Sequence, residues 1–283
     1  MKSFTFLLVC QSLVALNDSI VRFMLLGLAS VLLTPQESSE AISLIAFILI
    51  LPYLLMAPLA GWISDRFAKS AVIRWTVAVQ LLGLILLSIG IWIHSWIALY
   101  TGFGLLAVQS AFFSPAKKGI LKELIGGERL GLVIGIAELF TVFSILMGGW
   151  LGGWGFEFFR AQQDGSVWAG AGWTTAGVGL LAMGSFLLTF GIEKTKPQGS
   201  LSFSPSIIFR HFHDLRLLWQ NPALFWCACS IALVWGLGYF LTLVLMNLGK
   251  DMAPETAAST SGGVYFMARF GGNIRLGIRI VFF

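Results

Sequence analysis

Charge is what this sequence has least of: Asp, Glu, Lys and Arg together make up 11% of its 283 residues, against 57% hydrophobic residues. That is too little polar surface to cover a water-soluble globule of this size, and with a mean hydropathy of +0.87 it points to lipid as the solvent. Cysteine is scarcer still, with three residues. Cys10, Cys227 and Cys229 all lie inside apolar segments, and the last two, being two residues apart, fall on different helix faces. Neither a disulfide framework nor a metal site is expected, and no cofactor. The formal net charge of +5 is not gathered into an aromatic-interleaved basic stripe, so no nucleic-acid partner is expected either.

What the sequence has instead is long apolar runs. A membrane-spanning helix needs roughly 20 mostly apolar residues, and eight segments qualify, at about 4–33, 41–63, 71–93, 96–115, 130–158, 167–192, 222–248 and 256–283. The fold class expected is an all-α membrane protein with about eight transmembrane helices. The first run resembles a secretory leader in having Lys2 ahead of it, but Asn17, Asp18 and Arg22 at its middle argue for a retained span. If the connections alternate sides, one side holds Lys2, Arg66, Lys69, Arg74, Lys117, Lys118, Lys122, Arg129, Lys194, Lys196, Arg210 and Arg216, and the other only Arg160 and Lys250. By the excess of Lys and Arg in cytoplasmic loops, this places the N-terminus in the cytoplasm of a multi-pass protein. The polar stretch 193–221 reads as a cytoplasmic linker, which divides the chain into a six-helix bundle (1–192), the linker, and the first two helices of a second bundle (222–283).

Ionisable side chains in the bilayer core cost about 2.5–3.5 kcal/mol each on insertion scales, so each calls for a partner or a function. Asp18 and Arg22 are four apart and can share a helix face, with Asn17 beside them. They read either as a self-neutralising pair that eases insertion or as a polar head-group site or gate. Glu138, with Thr141 on its face, reads either as an ion site or as a carboxyl hydrogen-bonded to a neighbouring helix. Gly148, Gly149, Gly152 and Gly153 form two overlapping small-xxx-small registers that let another helix approach closely, whether at a static or a moving interface. In the loop GWISDRFAKSAVIR, Gly61 permits close approach at the helix end, and Asp65, Arg66 and Lys69 form a charge cluster.

That loop resembles the Gly-x-x-x-Asp-Arg-x-x-(Arg/Lys) signature of the major facilitator superfamily, with Ala68 where the signature usually has Gly. A narrower resemblance lies in FFSPAKKGILKELIGGERL, which is similar to a segment of the bacterial lysophospholipid transporter family through Ser114, Pro115, Ala116, Lys117, Gly119, Ile120, Leu121, Glu123 and Leu124, with Lys118 in place of Tyr. Asn17 and Asp18 resemble that family's first-helix polar segment, and Glu138 falls where the family has Glu before a Gly-rich run.

The resemblance implies a carrier of two six-helix halves that moves lysophospholipid, notably lysophosphatidylethanolamine, across a bacterial inner membrane for reacylation. It implies that Asp18 handles the head group, that Asp65, Arg66 and Lys117 form a cytoplasmic gate with Ser114, Pro115 and Glu123 in the same loop segments, and that Glu138 contributes to the path. The partners implied are the lysophospholipid, membrane lipids, and an acyltransferase or acyl-activating enzyme. Enzymatic activity in this chain is not expected: no His precedes an Asp by five positions as the acyltransferase motif needs, and His211, His213 and Asp214 read as surface residues of the linker. Arg269, Arg275 and Arg279 interrupt the eighth run, which reads as a truncated or frame-shifted end. The alternatives are a facilitator for another small solute and a non-transporting membrane fragment.

Overall fold

Six of the apolar runs become membrane-length helices in the computed structural model, which describes residues 2–126, 130–197 and 218–252, with side chains to residue 238 and at 240. They are α1 (Lys2–Leu32), α2 (Pro35–Arg66), α3 (Lys69–Trp92), α4 (Trp96–Ile125), α5 (Leu130–Gln162) and α6 (Val167–Leu188), the last followed by a 3-10 turn at Thr189–Gly191. A further helix, α7, runs from Pro222 to Met252. The eighth run, 256–283, lies outside the described residues, so the count of eight rests on the sequence. All regular structure among the described residues is helical. The chain divides into two units, Met1–Phe203 with the six-helix bundle and Ser204–Phe283 with α7, and the division falls inside the stretch read as a linker.

Two boundaries differ most from the apolar runs, each for a local reason. α2 starts six residues early because Thr34 caps it: Glu37 N–H donates to Thr34 Oγ1 at 3.4 Å, Thr34 N–H donates to Glu37 Oε2 at 3.0 Å, and Pro35 occupies the first turn, where no N–H is needed. α4 continues ten residues past its apolar run, through Pro115, so the segment read as a loop is the inner third of a helix. Its apolar positions Ala116, Ile120 and Leu121 recur at helical spacing and are all buried. The helix ends at Gly126, whose φ of +78° suits a residue without Cβ.

Helix association in lipid depends on close packing rather than on hydrophobic burial. α3 lies along α4, α1 is flanked by α5 and α6, α2 leans on α4, and α6 also touches α3 and α5. The two tightest seams are made by glycine. A Cβ on Gly148 or Gly152 of α5 would come within 2.6 Å of the Leu16 or Ile20 carbonyl of α1, and one on Gly102 of α4 within 2.8 Å of the Leu87 nitrogen of α3. Gly149 faces the Phe23 ring and Gly153 is buried.

Contacts across the bundle show which helix ends share a side. Gly191 meets Phe6, Ser70 exchanges hydrogen bonds with Thr195, and Lys69 pairs with Glu123. The start of α1, the α2–α3 turn, the end of α4 and the exit of α6 therefore lie together, and this is the lysine-rich end. It is filled by an apolar cluster that includes Leu7, Ile73, Phe113, Ile120 and Ile192.

Candidate functional site

The most polar group inside the bundle sits at mid-depth. Asp18 is at the middle of α1, Gln80 at the middle of α3 and Ser110 at the middle of α4, so the antiparallel packing brings the three together. Gln80 Nε2 donates to Asp18 Oδ1 at 3.2 Å, and the Ser110 hydroxyl donates to Asp18 Oδ2. Gln109 joins the network, its amide 3.1 Å from Ser110 Oγ. Tyr53 on α2 lies close enough to interact with both Ser110 and Asp18. Arg22 and Lys117 contribute positive charge at Asp18, and Arg22 also lays its guanidinium 4.9 Å from the Phe23 ring centroid. The i,i+4 spacing of Asp18 and Arg22 allowed either a pair on one helix or a polar site, and the charge of Arg22 does reach Asp18. The hydrogen bonds of Asp18 described above run across the bundle to α3 and α4, because Gln80 and Ser110 present donors at its depth.

This network is incompletely satisfied. Gln80 Oε1, Gln109 Nε2 and both side-chain atoms of Asn17 are buried without a hydrogen-bond partner among the described residues. Each such group costs about 1–3 kcal/mol when it is left unmet. Asn17 is 1% exposed and lies about 100° around α1 from Asp18. The other buried amide of α1, Gln11, is satisfied, donating to the Ala137 carbonyl of α5 at 3.0 Å. Unmet amide atoms of Gln80 and Gln109 thus lie beside Asp18, while others lie elsewhere, at Ser38 and Arg74.

At the lysine-rich end the structure rearranges the expected cluster. Lys69 is 5% exposed and pairs with Glu123 at 2.5 Å, crossing Gly119, where a Cβ would come within 2.6 Å of its Cε. Asp65 is exposed and makes none of the ion pairs among the described residues, while Arg66 stacks its guanidinium 5.4 Å from the Trp62 ring centroid. Lys117 is half-buried farther along α4, between the charges of Glu138 and Asp18. Asp65 and Lys117 form no ion pair with each other among the described residues. Ser114 and Pro115 are half-buried in α4. Glu138 faces Lys118 at 3.9 Å across the α4–α5 gap, a partly exposed pair, while Thr141 turns its hydroxyl back to the Ala137 carbonyl of its own helix. The close approach expected at Gly61 is not there: a Cβ at that position would meet nothing within 4 Å, because Gly61 lies on an open face of α2, whereas Ser64 on another face is buried beside Gly119 of α4.

Sequence reasoning passed over Gln80, Gln109, Ser110 and Tyr53. An uncharged polar residue barely lowers the hydropathy of a 20-residue window, so VAVQLLG and LLAVQSAFF read as ordinary span. The available signal was depth. Once the spans are set, these residues and Asp18 fall at the same level, and binding sites in carriers of repeated helical halves lie near the midplane.

Comparison with known proteins follows the same line. The sequence profile of the Major Facilitator Superfamily matches residues 7–280. The lysophospholipid transporter LplT of Cronobacter sakazakii is 29% identical over 239 residues, covering 84% of this chain and 56% of the relative. The LplT of Photorhabdus laumondii is 34% identical over 146 residues, 52% of this chain and 34% of the relative. The chain spans about half the length of the curated relatives it matches. Among solved structures, the POT family transporter PepTSo superposes with a TM-score of 0.56 at 15% identity, over 94% of this chain and 52% of that one. An auto inhibited POT family peptide transporter gives 0.54 at 15% identity, over 96% and 54%. At such identity the likeness is one of fold.

Proposed function

The chain belongs to the major facilitator superfamily, and from that premise we propose that it carries lysophospholipid, of the lysophosphatidylethanolamine kind, across a bacterial inner membrane with its N-terminus in the cytoplasm. It is a multi-pass membrane protein of a transporter family whose matched relatives are named lysophospholipid transporters. The observation that carries the reading is the mid-depth network around Asp18. A carboxylate held by neutral donors from two other helices, with unmet polar groups beside it, is suited to the cationic end of a zwitterionic head group. Arg22 and Lys117, whose charges reach the same carboxylate, supply the counterpart for the phosphate. Glu138, within reach of Lys117 and Lys118, lines the way from this site to the lysine-rich end.

The apolar cluster at that end supports a bundle closed toward the cytoplasm, with Lys69–Glu123 as the tie holding α3 to α4. In carriers of this type one half-bundle rocks against another around a fixed site. An acyltransferase or acyl-activating enzyme on the cytoplasmic side would consume the lipid delivered, and belongs to this proposal as a partner.

The test is uptake of labelled lysophosphatidylethanolamine into proteoliposomes that contain the chain. Asp18→Asn keeps the shape and removes the charge. It is expected to lower uptake at least tenfold while the protein stays folded by circular dichroism. Uptake by Asp18→Asn at the unaltered rate would sink the head-group role, and uptake of other solutes in place of lysophospholipid would favour a different cargo.

A further inference from the structure

The exit of α6 lies along the first turns of α3. The guanidinium of Arg74 sits 4.5 Å from the Phe190 ring centroid. Farther on, Ser70 N–H donates to Thr195 Oγ1 at 3.2 Å and Thr195 N–H donates to Ser70 Oγ at 3.1 Å. Ser70 and Arg74 are four apart and share a face of α3, so residues 190–195 follow that face toward the lysine-rich end. Ala68 gives α3 no side-chain cap, and Thr195 supplies the acceptor from a distance, which sets the exposed Lys194 and Lys196 beside the helix start. Glu193, the acid of this segment, is exposed as well, and neither it nor Arg74, Lys194 or Lys196 enters an ion pair among the described residues. Arg74 also lacks a hydrogen bond there, its Nε being shut off from solvent without an acceptor. Lys69 and Arg160, by contrast, each have a carboxylate. Beside Arg74, Trp75 is 70% exposed, and Phe190, Ile85 and Ile89 are exposed too. Ile85 and Ile89 lie within about 60° of Arg74 around α3, and Ile85 is about 16 Å farther along the axis, close to the depth of one leaflet.

We propose that this outer face of α3 and the α6 exit binds an anionic phospholipid of the surrounding leaflet, its phosphate held by Arg74 with Lys194 and Lys196, its acyl chains along Ile85 and Ile89. The pattern matches the outline of such a lipid, cationic at one end and apolar over the length of one leaflet. Guanidinium and phosphate match as fork to fork, and a phosphate provides the acceptors that Arg74 lacks. Trp75 and Phe190 sit where the head group gives way to hydrocarbon, the level that amphipathic rings favour. A zwitterionic lipid would bring an ammonium into the same cluster of cations, so a phosphate without an amine fits better. Basic pockets at the cytoplasmic ends of spanning helices take anionic head groups for this reason. The reading of the lysine-rich end as cytoplasmic decides only which leaflet supplies the lipid. The site is separate from the mid-depth network of Asp18, and a lipid held in it would tie the segment after α6 to the start of α3.

The experiment titrates phosphatidylglycerol and phosphatidylcholine of the same acyl chains onto the full chain in detergent micelles and counts bound lipids by native mass spectrometry. Phosphatidylglycerol is expected to bind tenfold or more tightly than phosphatidylcholine. Arg74→Gln is expected to cut that preference to within about threefold, and Arg74→Lys, which keeps the charge without the fork, to leave an intermediate value. Lys194→Ala combined with Lys196→Ala, at two exposed positions, is expected to lower it as well. Melting temperature in lipid-free micelles confirms that each variant is folded. Added phosphatidylglycerol is expected to raise it in the unaltered chain and not in Arg74→Gln, because a ligand stabilises only the state that binds it. Inorganic phosphate in large excess is expected not to displace the lipid; displacement would make this a plain anion site and overturn the lipid assignment. Asp18→Asn is expected to keep the full preference, and its loss there would place the lipid in the mid-depth site and overturn this one. Equal affinity of the unaltered chain for the two lipids, or a full preference in Arg74→Gln, overturns the proposal outright.

Discussion

Lys69 shows how far a single side chain's setting can depart from its place in a loop signature. It is buried against Glu123, and the passage is open only because position 119 is glycine. Removing one partner of a buried pair leaves the other unpaired, at a cost of about 3–5 kcal/mol. Lys69→Met is therefore expected to lower the denaturation midpoint strongly in mixed micelles, Glu123→Met to do the same, and the double variant to recover most of the loss. Midpoints that fall additively would mean the pair is not coupled. Gly119→Ala is expected to behave like a weaker Lys69→Met, since its Cβ would meet Lys69 Cε at 2.6 Å. Lys69 was legible from spacing only as a member of a charged loop with Asp65 and Arg66. Its partner was not, because Glu123 is 54 residues away and only the packing of α3 on α4 decides which acid lies opposite.

Among the elements, α4 and α5 teach opposite lessons. The Gly-rich run of α5 announced a close helix contact, and small residues spaced four apart on one face of α5 meet the α1 backbone. Gly152→Val is expected to lower the melting temperature sharply in detergent, as overpacking costs about 1–3 kcal/mol. Gly61→Ala, where the new methyl group meets nothing, is expected to leave it unchanged or slightly raised, because Ala favours helix over Gly by about 1 kcal/mol. Equal losses in the two would remove the case for a backbone seam between α1 and α5. The inner third of α4 was illegible from hydropathy, since Lys117, Lys118, Lys122 and Glu123 dilute the window. Its helical character lies in the spacing of Ala116, Ile120 and Leu121, which a hydropathy average discards. The start of α2 was hidden likewise: the capping box Thr34–Glu37 is a matter of two polar residues three apart.

At the scale of the whole bundle, the shared side of the α1 start, the α2–α3 turn and the α4 end fixes a direction as soon as one end is assigned. A reporter that is active only outside the cytoplasm is expected to work when fused at Gln163, between α5 and α6, and to be silent when fused at Gly126, at the end of α4. The reverse pattern would invert the orientation read from Lys and Arg. That count was available from sequence alone because topology depends on where charges fall between spans. Which spans touch could not be counted in that way, and the Asp18 network depends on it.

Its bonds also carry a timetable. Asp18 lies 62 residues ahead of Gln80 and 92 ahead of Ser110, so α1 leaves the ribosome long before either partner exists. At about 5–20 residues per second, the carboxylate waits roughly 5–20 s for its last donor. During that interval the first helix holds a carboxylate whose cross-bundle donors are not yet made, and the insertion machinery must shelter it until α4 arrives.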